Sequence, residues 1–104
     1  MAKVTIDSGI CGFSTTIHTE STDGQTVTIE YESQCPHVLE AKDELTSVDA
    51  FQELFRKPAE TTVYAALSRH LPHVTCPLYS GFLKAIEVAA GMALPKNVSI
   101  SIVK

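Results

Sequence analysis

Alternation of apolar and polar residues dominates the first third of the chain. This period of two runs over residues 3–7, 13–17 and 27–31. It is typical of β-strands that bury one face. Between the last two runs, Asp23 and Gly24 form the dipeptide that favours a tight hairpin, because glycine tolerates the positive φ of such turns. The pattern predicts three short strands in a mainly antiparallel sheet.

Past Ser33 the apolar spacing becomes helical. Pro36 suits the first turn of a helix, where its missing N–H has no partner to lose, and apolar residues then recur at intervals typical of a helix. The last such segment is apolar almost all round, which is typical of a helix in the protein core. Four helices are predicted. The first begins at Pro36, and the second begins after Thr46 and stops before Pro58. The third spans 61–71 and the fourth spans 77–92.

The chain ends in a second alternating segment. Val98, Ile100 and Ile102 alternate with serines and predict a closing strand that needs a partner in the sheet. The predicted order is β-β-β-α-α-α-α-β, an α+β fold with helices packed on one face of a sheet of about four strands. The 104 residues suit a single domain over 1–104, because a chain of this length builds one core.

Charge and composition exclude several classes of function. The chain carries 8 Lys and Arg against 12 Asp and Glu, a net charge of −4, whereas nucleic-acid binding needs clustered cations. No apolar run approaches the ~20 residues that span a bilayer, and the first residues lead into a strand pattern instead of a signal peptide. We therefore expect a cytoplasmic protein without nucleic-acid or membrane partners.

The candidate chemistry lies in three cysteines, an odd number that cannot pair completely within one chain. Cys11 lies between Gly9 and Gly12, which let the backbone bend toward a ligand. Cys35 and Cys76 each precede a proline at a predicted helix start, where the helix dipole stabilises a thiolate. We expect the three sulfurs to converge at one edge of the sheet. The alternative is that the cysteines simply pack as small apolar side chains.

Histidines stand beside two of the cysteines. His37 follows Cys35 by two residues, and His73 precedes Cys76 by three. The His-x-x-Cys spacing makes His73 the best fourth ligand of a metal site. Zinc and iron–sulfur clusters both prefer thiolate ligands, and either suits such a site. The predicted metal ligands are Cys11, Cys35, Cys76 and His73.

Two other functions stay open. A thiol enzyme or sulfur carrier would use Cys35 or Cys76 as its nucleophile, with His37 or His73 as the base. A non-catalytic homodimeric interaction module would instead use a sheet edge such as the closing strand. The sequence contains no Gly-rich phosphate loop, no Gly-x-Ser-x-Gly elbow and no His-Glu-x-x-His.

Three segments carry a resemblance to known families. Taken together with the run Lys84–Pro95, the segments Gly9–Phe13, Ser33–Pro36 and His73–Pro77 resemble a small family of uncharacterised domains from anaerobic bacteria and archaea. That resemblance covers nearly the whole chain and implies that the three cysteines belong together. Cys35-Pro36 is also similar to the start of the Cys-Pro-x-Pro motif of a sulfur-carrier family. Val38 replaces the second proline, and the motif leaves the other two cysteines unexplained.

Overall fold

A single antiparallel sheet forms one layer of the protein. The computed structural model describes all residues, 1–104. The strands are β1 Ala2–Asp7, β2 Ser14–Glu20, β3 Thr26–Ser33 and β4 Ser47–Asp49. They lie in the order β1-β2-β3-β4, each antiparallel to the next. The α+β class with a four-stranded antiparallel sheet is therefore confirmed.

Four helices accompany the sheet. They are α1 Pro36–Leu39, α2 Ala50–Leu54, α3 Thr62–Ser68 and α4 Leu78–Ala89, with 3₁₀ turns at Lys42–Glu44 and Pro58–Glu60. Each predicted helix exists but is shorter than predicted, and α1 has only four residues. No helix has the length and the apolar character that a bilayer crossing requires.

The inner face of the sheet is buried and the outer face is polar. Ile17, Val27, Ile29 and Tyr31 point inward and are buried, while the residues between them on β3 are exposed. The hairpin between β2 and β3 forms as predicted: the Asp23 carboxylate accepts hydrogen bonds from the backbone N–H groups of the next turn residues, at 2.9 Å each. The alternating pattern and the Asp23-Gly24 turn therefore predict the positions of these strands correctly.

Helix α4 is the core helix. Phe82 is fully buried at its centre, and its ring meets Tyr31 edge-on with centroids 5.0 Å apart. The Thr19 hydroxyl donates to the Ala85 carbonyl at 2.8 Å, which satisfies a buried hydroxyl where α4 crosses β2. The prediction that the last helix occupies the core is confirmed.

Helix α4 approaches β1 closely at Gly81. A Cβ at this position would lie 2.0 Å from Cδ1 of Ile6. We expect Gly81→Ala to lower the free energy of unfolding by about 1 kcal/mol, because overpacking of about 1–3 kcal/mol exceeds the gain of about 1 kcal/mol in helix propensity. In an Ile6→Val background, which lacks Cδ1 but keeps Cγ1 at 3.0 Å from this Cβ, the same change should cost clearly less. Urea unfolding of the four proteins measures this coupling, and additive effects would contradict it.

The fourth strand is not the predicted one. The predicted closing strand over Val98–Ile102 is wrong, because residues 94–104 form neither helix nor strand and are exposed. Instead, β4 pairs with β3 and places Val48 opposite Val27. The observed order is β-β-β-α-β-α-α-α. With only three residues, β4 is too short to show a period of two.

The position where α2 begins explains why the sequence does not predict β4. Thr46 and Asp49 have the spacing of a capping box, and this spacing predicts a helix start after Thr46, earlier than the observed start of α2 at Ala50. In the structure Asp49 itself is the N-cap, and its carboxylate accepts from the N–H groups of Phe51 and Gln52. Asp49 is also the last residue of β4, so strand and helix share this boundary.

Candidate cysteine and histidine site

The three cysteines line one small cavity at the end of the sheet where β1 and β3 finish. Its volume is about 130 Å³, room for a few water molecules or one ion with its ligands. The structure also brings both predicted neighbouring histidines to this cavity. The lining residues are Ser8, Cys11, Phe13, Cys35, His37, Leu71, Pro72, His73, Cys76 and Leu78.

Cys11 reaches the cavity from the turn between β1 and β2. Gly9 and Gly12 both have positive φ, at 83° and 76°, which a residue with a side chain adopts only with strain. The Gly12 N–H donates to the Gly9 carbonyl at 2.9 Å and closes the turn. Cys11 is exposed at the turn and its thiol is free.

Cys35 lies between β3 and α1, at the N-cap position of the helix. Its backbone N–H donates to the Ser33 hydroxyl oxygen at 3.0 Å, and that hydroxyl contacts Thr15 Oγ1 at 2.7 Å. The helix is held from the other side, because the Tyr31 hydroxyl donates to the Val38 carbonyl at 2.7 Å. Cys35 is therefore fixed to the sheet and half-buried.

Cys76 is held at the start of α4. Its N–H donates to the His73 carbonyl at 3.3 Å and closes the preceding turn. The Leu78 N–H lies near the Cys76 thiol and acts to lower its pKa. His73 itself is exposed on the loop. Cys35 and Cys76 are thus half-buried just before α1 and α4, whereas Cys11 and His73 are exposed on loops.

Burial controls the acidity of Cys76. Desolvation raises the pKa of the Cys76 thiol, the Leu78 N–H lowers it in part, and the nearby Cys35 and Cys11 thiolates raise it further. Like charges disfavour one another at this separation. The fully deprotonated set of three thiols is therefore unfavourable without a positive charge in the cavity.

The donor atoms do not form a completed metal site in the structure. No group of three His, Cys, Asp or Glu side chains is arranged to hold a metal ion. The site residues line the same cavity, but their donor atoms are not arranged to coordinate one metal ion. The ligand roles of Cys11, Cys35, Cys76 and His73 stay a prediction.

Sequence reasoning missed the apolar walls of the cavity. Phe13, Leu71 and Leu78 form these walls beside the thiols and imidazoles. The one sequence feature that points to these residues is their position next to the predicted site: Phe13 directly follows Gly12, and Leu71 precedes the His73 loop. Apolar neighbours lower the local dielectric, which strengthens any interaction between a cation and the thiolates.

The remaining two histidines lie elsewhere. His18 contacts Glu32 at 3.1 Å on the outer face of the sheet, as expected of a solvated strand residue. His70 lies between two carboxylates, with Nδ1 at 3.4 Å from Glu40 and Nε2 at 2.5 Å from Glu44. Neither histidine lines the cysteine cavity. A larger depression of about 390 Å³ beside His18 contains mixed charges and no cysteine, so we place the candidate chemistry in the smaller cavity.

Fold and cavity together define a small α+β domain with a cysteine-lined cavity. The chain belongs to a family of unknown function, DUF6951, whose family model matches residues 2–102. The expectation of an uncharacterised domain family is confirmed to this extent. No curated protein and no solved structure matches the chain.

Proposed function

We propose that this protein is a metal-binding module that holds zinc or an iron–sulfur cluster in the cysteine cavity. Cys11, Cys35 and Cys76 are the thiolate ligands, and His73 is the fourth ligand. One observation carries the proposal: thiols from three distant segments of the chain, accompanied by two imidazoles, line a single small cavity with apolar walls. Soft thiolates with imidazole are the ligands that zinc and iron–sulfur clusters prefer.

The electrostatics of the cavity support a cation. Repulsion from the other two thiolates is one reason why the Cys76 thiol resists deprotonation when no metal is present. A bound metal ion would remove this repulsion. The Leu78 N–H, which acts to lower the pKa of the Cys76 thiol, is also suited to a metal thiolate, because N–H groups near ligand sulfurs stabilise their negative charge.

Binding completes the site by movement of two loops. Cys35 is held to the sheet through Ser33, and Cys76 lies half-buried two residues before α4, so these two cysteines supply the less mobile pair of ligands. Cys11 and His73 are exposed on loops, and the two glycines beside Cys11 allow large backbone changes at small steric cost. Coupling of metal binding to loop ordering is general for small metal domains.

Thiol catalysis is a weaker alternative. A nucleophilic cysteine needs a lowered pKa, whereas burial raises the pKa of Cys76. Cys35 precedes a helix of only four residues, which has little macrodipole to offer. No observation favours a nucleophile over a ligand at either position.

Elemental analysis of anaerobically purified protein tests the proposal. We expect about one metal equivalent per chain, or iron and sulfide with a visible absorption band, in line with one site built from these ligands. Cys11→Ser, Cys35→Ser and Cys76→Ser should each lose most of the metal. His73→Ala should weaken binding about 10–100-fold, while His37→Ala serves as the matched change on the other side of the cavity.

Two controls separate loss of ligand from loss of fold. His18→Ala alters a histidine outside the cavity and should retain the full metal content, and circular dichroism reports folding of every variant. Wild-type protein that neither contains metal nor accepts zinc, nor iron with sulfide, would refute the proposal. If one cysteine of that metal-free protein reacts rapidly with an alkylating agent at pH 6, the thiol enzyme becomes the better interpretation.

A further inference from the structure

The last eleven residues, 94–104, are the C-terminal tail, and they leave five large apolar side chains exposed, Leu94 among them. Val98, Ile100, Ile102 and Val103 expose 63%, 78%, 88% and 89% of their surface. The first three alternate with serines, which is the pattern of a strand with one apolar face. A soluble chain rarely leaves such a row uncovered, so the tail has the sequence of a strand and lacks a partner within its own chain.

The sheet offers one free edge of matching length. Strand β1 pairs with β2 on one side only, and its six residues have no strand neighbour on the other. Val4 and Ile6 on its inner face are only partly buried. The edge contains no proline and no charge on its inner face, because its charged residues Lys3 and Asp7 lie on the outer face, so the inner face of β1 can accept a further strand.

We propose that the tail of one chain pairs with β1 of a second copy, so that two chains exchange tails in a homodimer. The tail strand extends the sheet by one strand, and Val98, Ile100 and Ile102 continue the apolar inner face beyond Val4 and Ile6. Exchange between identical chains is reciprocal, so each dimer forms the contact twice and buries both tails.

Charge favours this pairing. The tail carries Lys96 and Lys104 and no Asp or Glu, which leaves six of the eight Lys and Arg against all twelve Asp and Glu in the rest of the chain. A cationic tail is therefore attracted to the anionic body of another copy.

Other pairings of the tail are less favourable. Strand β4 presents an edge of only three residues, half the length of β1. Two tails paired only with each other would form an isolated two-stranded ribbon, which is marginal in water. Pairing with β1 of the same chain would cover the apolar tail residues, whereas they are exposed in the single chain.

Light scattering of the full-length chain across a range of concentrations tests the dimer. We expect wild-type protein at twice the chain mass of 11.3 kDa. Ile100→Asp should raise the dissociation constant at least about 100-fold, because it places a charge on the apolar face of the strand. Ser101→Asp adds the same charge to the opposite face and should leave the dimer intact. Both residues lie outside the core, and circular dichroism verifies that both variants fold.

Hydrogen exchange identifies the occupant of the edge. The inference holds if amides of 98–103 and of β1 are protected in the dimer and lose protection together in Ile100→Asp. It is overturned by a monomer with an unprotected tail, and equally by a monomer with a protected tail, which would assign the edge to the same chain. A dimer that Ile100→Asp leaves unchanged also overturns it. None of these outcomes depends on the metal content of the cysteine cavity.

Discussion

Replacement of Glu53 with alanine lowers the free energy of unfolding by about 3 kcal/mol, because one buried and one part-buried backbone N–H group lose their carboxylate acceptor. Glu53 is only 3% exposed, although it lies on a short helix near the surface. Its two carboxylate oxygens accept from the N–H groups of Thr62 and Val63 at 2.8 and 2.9 Å, in the first turn of α3. The carboxylate thus caps the next α-helix along the chain, which begins nine residues after Glu53.

Chemical denaturation measures this loss, and Glu60→Ala is the matched control. Glu60 also accepts from a backbone N–H, that of Lys57, but at 3.2 Å on the surface, where water replaces the carboxylate. Its removal should cost below about 1 kcal/mol. Glu53→Gln keeps the shape but has one acceptor oxygen, so it should fall between wild type and Glu53→Ala. Equal losses in Glu53→Ala and Glu60→Ala would show that burial of this carboxylate contributes nothing.

Zinc affinity should fall steeply as the pH decreases through neutrality, by up to about 1,000-fold per pH unit if all three thiols give up protons on binding. The sign follows from Cys76, whose pKa is raised by burial. Zinc must therefore displace a proton from this thiol at neutral pH, and a lower pH favours the proton. Affinity rises with pH until the thiols titrate without the metal and then levels off.

Competition with a chromophoric chelator at several pH values measures this slope. Cys76→Ser removes one displaced proton, so its slope should be shallower by about one log unit per pH unit over the range where Cys76 is protonated in the metal-free protein. Affinity that is independent of pH, after correction for protonation of the chelator, would contradict a thiolate site.

Local sequence patterns were sufficient for part of the fold. Strands β1 to β3 follow from the period of two and from the Asp23-Gly24 turn, since both signals lie within a few residues. Strand β4 was missed because its pairing depends on β3, some twenty residues earlier, and only Val48 is buried within it. The tail shows the opposite case: a true strand pattern whose partner is absent from the single chain.

The candidate site was predictable in position and not in detail. Each cysteine lies at an element boundary beside Gly or Pro, and boundaries at the same end of a sheet come together in space. The apolar wall of Leu71 depends on how α3 and α4 pack. Glu53 gave no signal at all, because a carboxylate at the surface of a helix and one buried against another helix look alike in sequence.

The contact between Tyr31 and Phe82 has a thermodynamic consequence for the cysteine cavity. Tyr31 holds the helix that follows Cys35, and Phe82 belongs to the helix that follows Cys76, so the core ties both cysteines to one rigid body. The conformational entropy lost on ligand binding then falls on the Gly9–Gly12 turn and the His73 loop alone, at about 1–2 kcal/mol per residue ordered. The glycines of this turn therefore affect the affinity of the proposed site although they are not ligands: stiffening the turn in the conformation that binds would tighten binding without adding a ligand.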